Sequence, residues 1–214
     1  IVESKLLIHR MNDSAATPPP LQLNGDAEEV YLKSVAIDEK PLSRQDYILD
    51  DEHLIIPNVP ASFELAIETE INPRLNTALS GLYLSNGIFC TQCEPEGFRR
   101  ITYMLDRPDV MARYEITIVG DRVKCPVLLA GGNLWNKVLL DYARHWARWV
   151  DPFPKPTYLF ALVAGNLANL EDQFVTQSGR EVTLQIYVQP HNIDKCQHAM
   201  QSLKKAMRWD EEVY

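Results

Sequence analysis

"SFELAIETEI", residues 62–71, alternates with a period of two. Phe63, Leu65 and Ile67 fall on one side, continued by Thr69 and Ile71, and Glu64, Glu68 and Glu70 fall on the other. Successive side chains of an extended chain point to opposite faces, so the pattern describes a half-buried antiparallel strand with a solvated acidic face. The opening "IVESKLLIHR" (1–10) alternates in the same way. Val2, Leu6 and Ile8 lie opposite Glu3, Lys5 and His9, with Leu7 breaking the pattern. Further strands are expected at 30–37, 47–56, 80–84, 88–94, 101–105, 112–119, 125–130, 145–150 and 157–164. Between them stand turn formers: "ATPPP" (16–20), "NGD" (24–26), "DD" (50–51) and "GGN" (131–133). Many short strands at this spacing argue for a mainly β, antiparallel sandwich or barrel.

The chain has 214 residues, enough for one large domain or one domain and a piece of another. Its net charge of −8 speaks against a general nucleic-acid surface. The longest apolar run, "YLFALVAG" (158–165), is far shorter than the ~18 residues a membrane-spanning helix needs. No apolar leader opens the chain, and because Ile1 already lies in a strand pattern, the first strands of the domain are expected to be missing. Four scattered cysteines are too few for a disulfide framework, so free thiols in a reducing, cytoplasmic setting are expected.

The pattern changes after residue 166. "DPFPKP" (151–156) is expected to be a rigid extended connection, and the apolar strand after it to be buried on both faces. "DQFVTQSGREVTLQIYVQP" (172–190) holds two alternating runs around Ser178-Gly179, a hairpin signal. "NIDKCQHAMQSLKKAMRW" (192–209) places Cys196, Met200, Leu203 and Met207 on one helical stripe, with Asn192 or Asp194 expected to cap it. The expected organisation is therefore a β domain over 1–166 and the opening of a second domain over 167–214. The four tryptophans are expected to be core residues.

"FCTQCEPEGF" (89–98) carries the chemistry worth weighing. Its C-x-x-C pair lacks a second pair or nearby histidines, and Cys125 and Cys196 are isolated. In an extended strand Cys90 and Cys93 face opposite ways, whereas Gln92 and Glu94 share a face about 7 Å apart. A carboxamide beside a carboxylate can grip an ammonium group, although a solvated strand edge has the same composition. No H-E-x-x-H occurs, and the five histidines include no pair four residues apart. "FRR" (98–100) is expected to pair with nearby acids such as Asp106 or Asp109.

"NTALSGLYLSNGIFCTQCEPEGFRRITYMLDRPDVMARYEITI" (76–118) resembles the N-terminal domain of the bacterial aminopeptidase N family, zinc-dependent gluzincin metallopeptidases. The likeness continues through "YARHWARWVDPFPKPTYLFALVAG" (142–165), "SGREVTLQIYV" (178–188) and "AMQSLKKAMRWDEEVY" (199–214), and is weaker over 1–75. The resemblance implies a β-saddle or sandwich followed by a hairpin and helix that begin a thermolysin-like α+β catalytic domain. It implies removal of N-terminal amino acids from peptides, with Glu94 binding the substrate's α-ammonium and Gln92 lining the first-residue pocket. Zinc and all catalytic residues would belong to the full-length protein, and this fragment would bind no metal and be inactive alone. The implied partners are peptides with a free N-terminus and the chain's own catalytic domain, without nucleic acid or membrane. Two other readings are a stand-alone β-sandwich binding module and a small zinc-thiolate protein.

Overall fold

The computed structural model describes residues 1–11 and 19–214, so the first three residues of the expected break at 16–20 lie outside the described residues. Its strands are β1 (Val2–His9), β2 (Leu21–Asn24), β3 (Tyr31–Ile37), β4 (Lys40–Pro41), β5 (Ile48–Leu49), β6 (His53–Ile56), β7 (Ser62–Glu70), β8 (Gly81–Ser85), β9 (Ile88–Gln92), β10 (Ala112–Asp121), β11 (Val127–Ala130), β12 (Asn133–Leu139), β13 (Arg144–Lys155), β14 (Leu162–Gly165), β15 (Ala168–Val175) and β16 (Glu181–Val188). One α-helix, α1 (Cys196–Val213), follows them. All strand pairs are antiparallel.

β7, the strand of "SFELAIETE", is central in the first sheet, with β1 on one side and β3, then β4, on the other. Phe63, Leu65, Ile67 and Thr69 are buried and Glu70 exposed, as the alternation requires. β1 alternates along its whole length, and Leu7 is simply an apolar residue on the outer face, 75% exposed. A sheet ordered β2-β6-β5 faces this one across a core of Leu23, Val35, Leu54, Ile56, Leu65 and Ile67. Each of these fully buried aliphatic side chains contributes about 1.5–3 kcal/mol of transfer free energy.

A second pair of sheets repeats the arrangement. β10-β13-β12 faces β11-β14-β9-β8 across Ile118, Cys125, Leu128, Ala147 and Ala164. A smaller core of Cys93, Phe98, Ile101 and Met104 joins the halves, taking in Val2, Leu6 and Ile71 from one and Leu82, Tyr114 and Phe160 from the other. The hairpin β15–β16 packs Phe174 and Leu184 against Met200 of α1. The fold is mainly β and antiparallel, as expected.

Several local expectations are corrected. Residues 101–105 form a turn with one isolated bridge from Met104 to Asn24, not a strand. The 47–56 segment is two short strands around a turn at Asp50. β13 runs on through Pro152 and Pro154 to Lys155. Among the described residues it is paired on both sides up to Val150; beyond that β10 alone flanks it, with a register slip opposite the prolines. A strand edge facing no partner loses nothing when proline removes a donor. In β14 only Ala164 and Gly165 are buried, and Thr157–Leu159 is a 3-10 turn. α1 begins at Cys196 after a 3-10 turn over Pro190–Lys195, so neither Asn192 nor Asp194 caps it. Cys196 and Met200 are buried on the expected stripe, whereas Leu203 is exposed. Trp149 packs in the second core and donates to the Leu128 carbonyl at 3.2 Å. Trp135 and Trp209 are exposed, contrary to the core reading. The Arg148 guanidinium lies 4.6 Å above the Trp135 ring.

Candidate functional site

β9 lies inside its sheet, between β8 and β14, and its last residue, Gln92, pairs with Gly81 of β8. The hairpin that joins β8 to β9 turns at Asn86-Gly87, both with positive φ, the pairing that matches strand twist in a two-residue loop. The ladder ends at Gln92. Glu94 therefore belongs to the turn after the strand, and strand alternation is not what puts it beside Gln92.

The turn is built around Cys93. Its side chain is 3% exposed and packs with Phe98, Ile101 and Met104. The residues on either side, Gln92 and Glu94, are consequently both exposed. The Glu94–Pro95 peptide is cis, Glu96 has φ +60°, and the Gly97 N–H donates to the Cys93 carbonyl at 3.0 Å. Gln92 Nε2 donates to the Glu94 carbonyl at 2.8 Å. A carbonyl oxygen accepts only, so the amide must present its nitrogen there and turn Oε1 away. Gln92 Oε1 and the Glu94 carboxylate are thus two acceptors on one short turn.

Gly97 lets the turn fold back against the strand end. A Cβ there would stand 2.4 Å from the Gln92 carbonyl oxygen and 2.8 Å from Cys93 Cα. The following 3-10 turn, Phe98–Arg100, is fixed by both of its arginines. Arg99 Nε donates to Asp106 Oδ2 at 3.0 Å, the pairing expected for one of them. Arg100 instead reaches Asp26 and Glu29, each at 2.8 Å, 74 and 71 residues away in sequence. Asp109 pairs with Arg107. Sequence reasoning missed Gly97 and Thr157, whose hydroxyl donates to Asp106 Oδ1. "PEG" signals a turn, but nothing local to Thr157 shows a contact 51 residues away.

The thiols are separate. Cys93 points into the apolar core, and burial, reinforced by the Asp106 charge, pushes its thiol up to about 12. Metal binding requires the thiolate, so this side chain is unsuited to it. Cys90 is half-buried and pairs across the ladder with Tyr83 and Val163. All four cysteines are unpaired. No cluster of three or more His, Cys, Asp or Glu able to hold a metal is found among the described residues. The zinc of the resembled family has no fitting ligand set in them.

Residues 19–159 match the family model described as Peptidase M1 N-terminal domain. The chain belongs to the Peptidase M1 N-terminal domain family. It is 53% identical over 195 residues to aminopeptidase N of Caulobacter vibrioides, covering 91% of this chain and 22% of that protein. Aminopeptidase N of Escherichia coli is 51% identical over 199 residues, with 93% and 22% covered. The chain thus spans less than a quarter of the length of these curated relatives. Among solved structures, Legionella pneumophila aminopeptidase A, determined with aspartic acid, superposes with a TM-score of 0.93 at 36% identity, covering 99% of this chain and 25% of that one. An M1 zinc metallopeptidase of Deinococcus radiodurans, solved as a mutant with a Tyr-Ser-Ala substrate, has the same fold: TM-score 0.70, 15% identity, 88% and 43% covered. This M1 N-terminal domain therefore has a mainly β fold shared with larger zinc peptidases. Among the described residues, no helix is long and apolar enough to cross a membrane.

Proposed function

We propose that this chain is the substrate-anchoring part of a zinc aminopeptidase that removes N-terminal amino acids from peptides, and that Glu94 receives the substrate's α-ammonium. The observation that carries the reading is the turn itself: an exposed carboxylate and an exposed amide on one short turn over a buried cysteine, with the amide nitrogen bonded to the Glu94 carbonyl, in a family of peptidase domains. An ammonium group has three N–H donors and a full charge; a mid-chain amide has one donor and none. Two acceptors, one of them anionic, therefore favour a free N-terminus. Gln92 contributes Oε1 next to the first residue of the peptide, and its amide nitrogen steadies Glu94.

In this reading residues 1–166 form the β domain. The β15–β16 hairpin and α1 open the catalytic domain, which supplies zinc and the groups that activate water. The 214-residue chain alone has no hydrolytic activity, and with four free thiols its setting is cytoplasmic. The test is Glu94→Gln in the full-length enzyme. A charge-assisted hydrogen bond contributes about 1.5–3 kcal/mol, so kcat/KM for an alanyl chromogenic substrate should fall about ten- to 150-fold with zinc content unchanged. Unchanged kinetics in that variant would remove the anchor role.

A further inference from the structure

Asp106 is a buried charge outside the Gln92–Glu94 pair, with its side chain 2% exposed. A buried carboxylate is destabilising by several kcal/mol unless its lone pairs are taken up. Here they are. Oδ2 accepts the Arg99 main-chain N–H at 3.1 Å and Arg99 Nε at 3.0 Å, and Oδ1 accepts the Thr157 hydroxyl. The Asp106 carbonyl accepts Arg99 Nη2 at 2.9 Å, and its own N–H donates to Asn24 Oδ1 at 3.2 Å. Tyr114, whose hydroxyl has no hydrogen-bond partner among the described residues, packs in the core around Cys93.

The bonds converge on one foot of the turn that carries Glu94. The other foot, Gln92, is fixed by its ladder to Gly81. Between Cys93 and Gly97 the chain has a single main-chain bond. Pro95 has no N–H to add another. Besides the burial of Cys93 and the Gln92 side-chain bond to the Glu94 carbonyl, the path of residues 93–97 depends on where Gln92 and Arg99 are held. Arg99 also matters by its charge. Its guanidinium contacts Asp106 and, at 3.4 Å, Glu96, while Glu94 has no ion pair among the described residues. With both oxygens of Asp106 engaged, the arginine is held between Asp106 and Glu96, and the Glu94 carboxylate is left open to an incoming cation.

We propose that Asp106 is a positioning residue for the amine anchor: acting through Arg99, and itself braced by Thr157, it fixes the turn that presents Glu94 and keeps the arginine's charge off that carboxylate. The inference rests on the reading of Glu94 as the anchor. Asp106 touches no substrate, so its effect must pass through Glu94 and vanish when Glu94 is already neutral.

A double-mutant cycle in the full-length enzyme tests this, using Glu94→Gln, Asp106→Asn and the pair, with KM and kcat for an alanyl chromogenic substrate. Asp106→Asn should raise KM about tenfold with kcat within about twofold, and should change KM less than about twofold in the Glu94→Gln background. If Asp106→Asn fails to fold, Thr157→Val takes its place in the same cycle. It removes one donor to Oδ1 and should raise KM about threefold, again only when Glu94 is intact. Equal factors in both backgrounds, or no change in KM from either substitution, would overturn the positioning role while leaving the anchor standing. An unchanged KM in Glu94→Gln alone would overturn both.

Discussion

Gly97→Ala is the sharpest steric test of the turn. Gly97 has φ −87° and ψ −18°, a conformation that any residue adopts, so alanine adds no backbone strain. What it adds is a methyl group 2.4 Å from the Gln92 carbonyl oxygen and 2.8 Å from Cys93 Cα. Both obstacles are main-chain atoms, and no rotamer change can clear them. An ordinary carbon–oxygen contact is about 3.2 Å or more, so the strand end and the turn must separate by nearly 1 Å. Overpacking of this kind is destabilising by about 1–3 kcal/mol, which for a chain of this size lowers Tm by about 2–4 °C per kcal/mol. Thermal unfolding followed by circular dichroism measures that. The displaced atoms, in Gln92 and Cys93, carry the chain into Glu94, so kcat/KM of the full-length enzyme should fall as well. Gly87→Ala is the control. It meets nothing within 4 Å but has φ +81°, so it should destabilise by about 1 kcal/mol through strain and leave kinetics alone. An unchanged Tm in Gly97→Ala, or equal kinetic losses in the two variants, would refute the reasoning.

Burial pushes the Cys93 thiol and the Tyr114 hydroxyl each up to about 12. The folded chain therefore keeps protons that the unfolded chain releases above about pH 8.5 and 10 respectively. The contribution of these two groups should be complete below about pH 8.5 and be lost as pH rises towards 12, at first by up to about 1.4 kcal/mol per pH unit from Cys93. Urea midpoints across this range check it, and Cys93→Ala should flatten the part between about pH 8.5 and 10. A thiol reagent at pH 8 should leave Cys93 unmodified until urea unfolds the chain, as read by mass spectrometry. Thr69, fully buried, donates to the Ile101 carbonyl at 3.3 Å and so ties the first sheet to the core under the turn. Thr69→Val keeps the shape, loses that bond, and should be destabilising by about 1 kcal/mol in urea unfolding.

The alternation of β7 and β1 was legible because it is local. A period of two needs only neighbouring residues and a face that excludes water. The β15–β16 hairpin and α1 were legible for the same reason, through Gly179 in the turn and the stripe of Cys196 and Met200. The exposed β12 was not. Its "NLWNKVL" has no burial pattern to read, since all seven residues are exposed and among the described residues it pairs with β13 alone. The prolines of β13 pointed away from a strand because sequence does not say which edge lacks a partner.

The candidate site divides along the same line. Sequence, with the family resemblance, singled out Gln92 and Glu94, set the two thiols on opposite faces, and expected the arginines of "FRR" to pair with Asp106 or Asp109, which holds for Arg99 with Asp106 but not for Arg100. Its reason for pairing Gln92 with Glu94 was a strand that in fact ends at Gln92. Tertiary structure decided the rest: Cys93 sinks into a core drawn from both halves of the domain, Gly97 lets two stretches of main chain touch, and Asp106 gathers Arg99 and Thr157. Periodicity reports which way a side chain faces; only the closed fold determines what meets it there, because those contacts join residues far apart in sequence, 51 positions for Thr157 and Asp106 and 82 for Asn24 and Asp106.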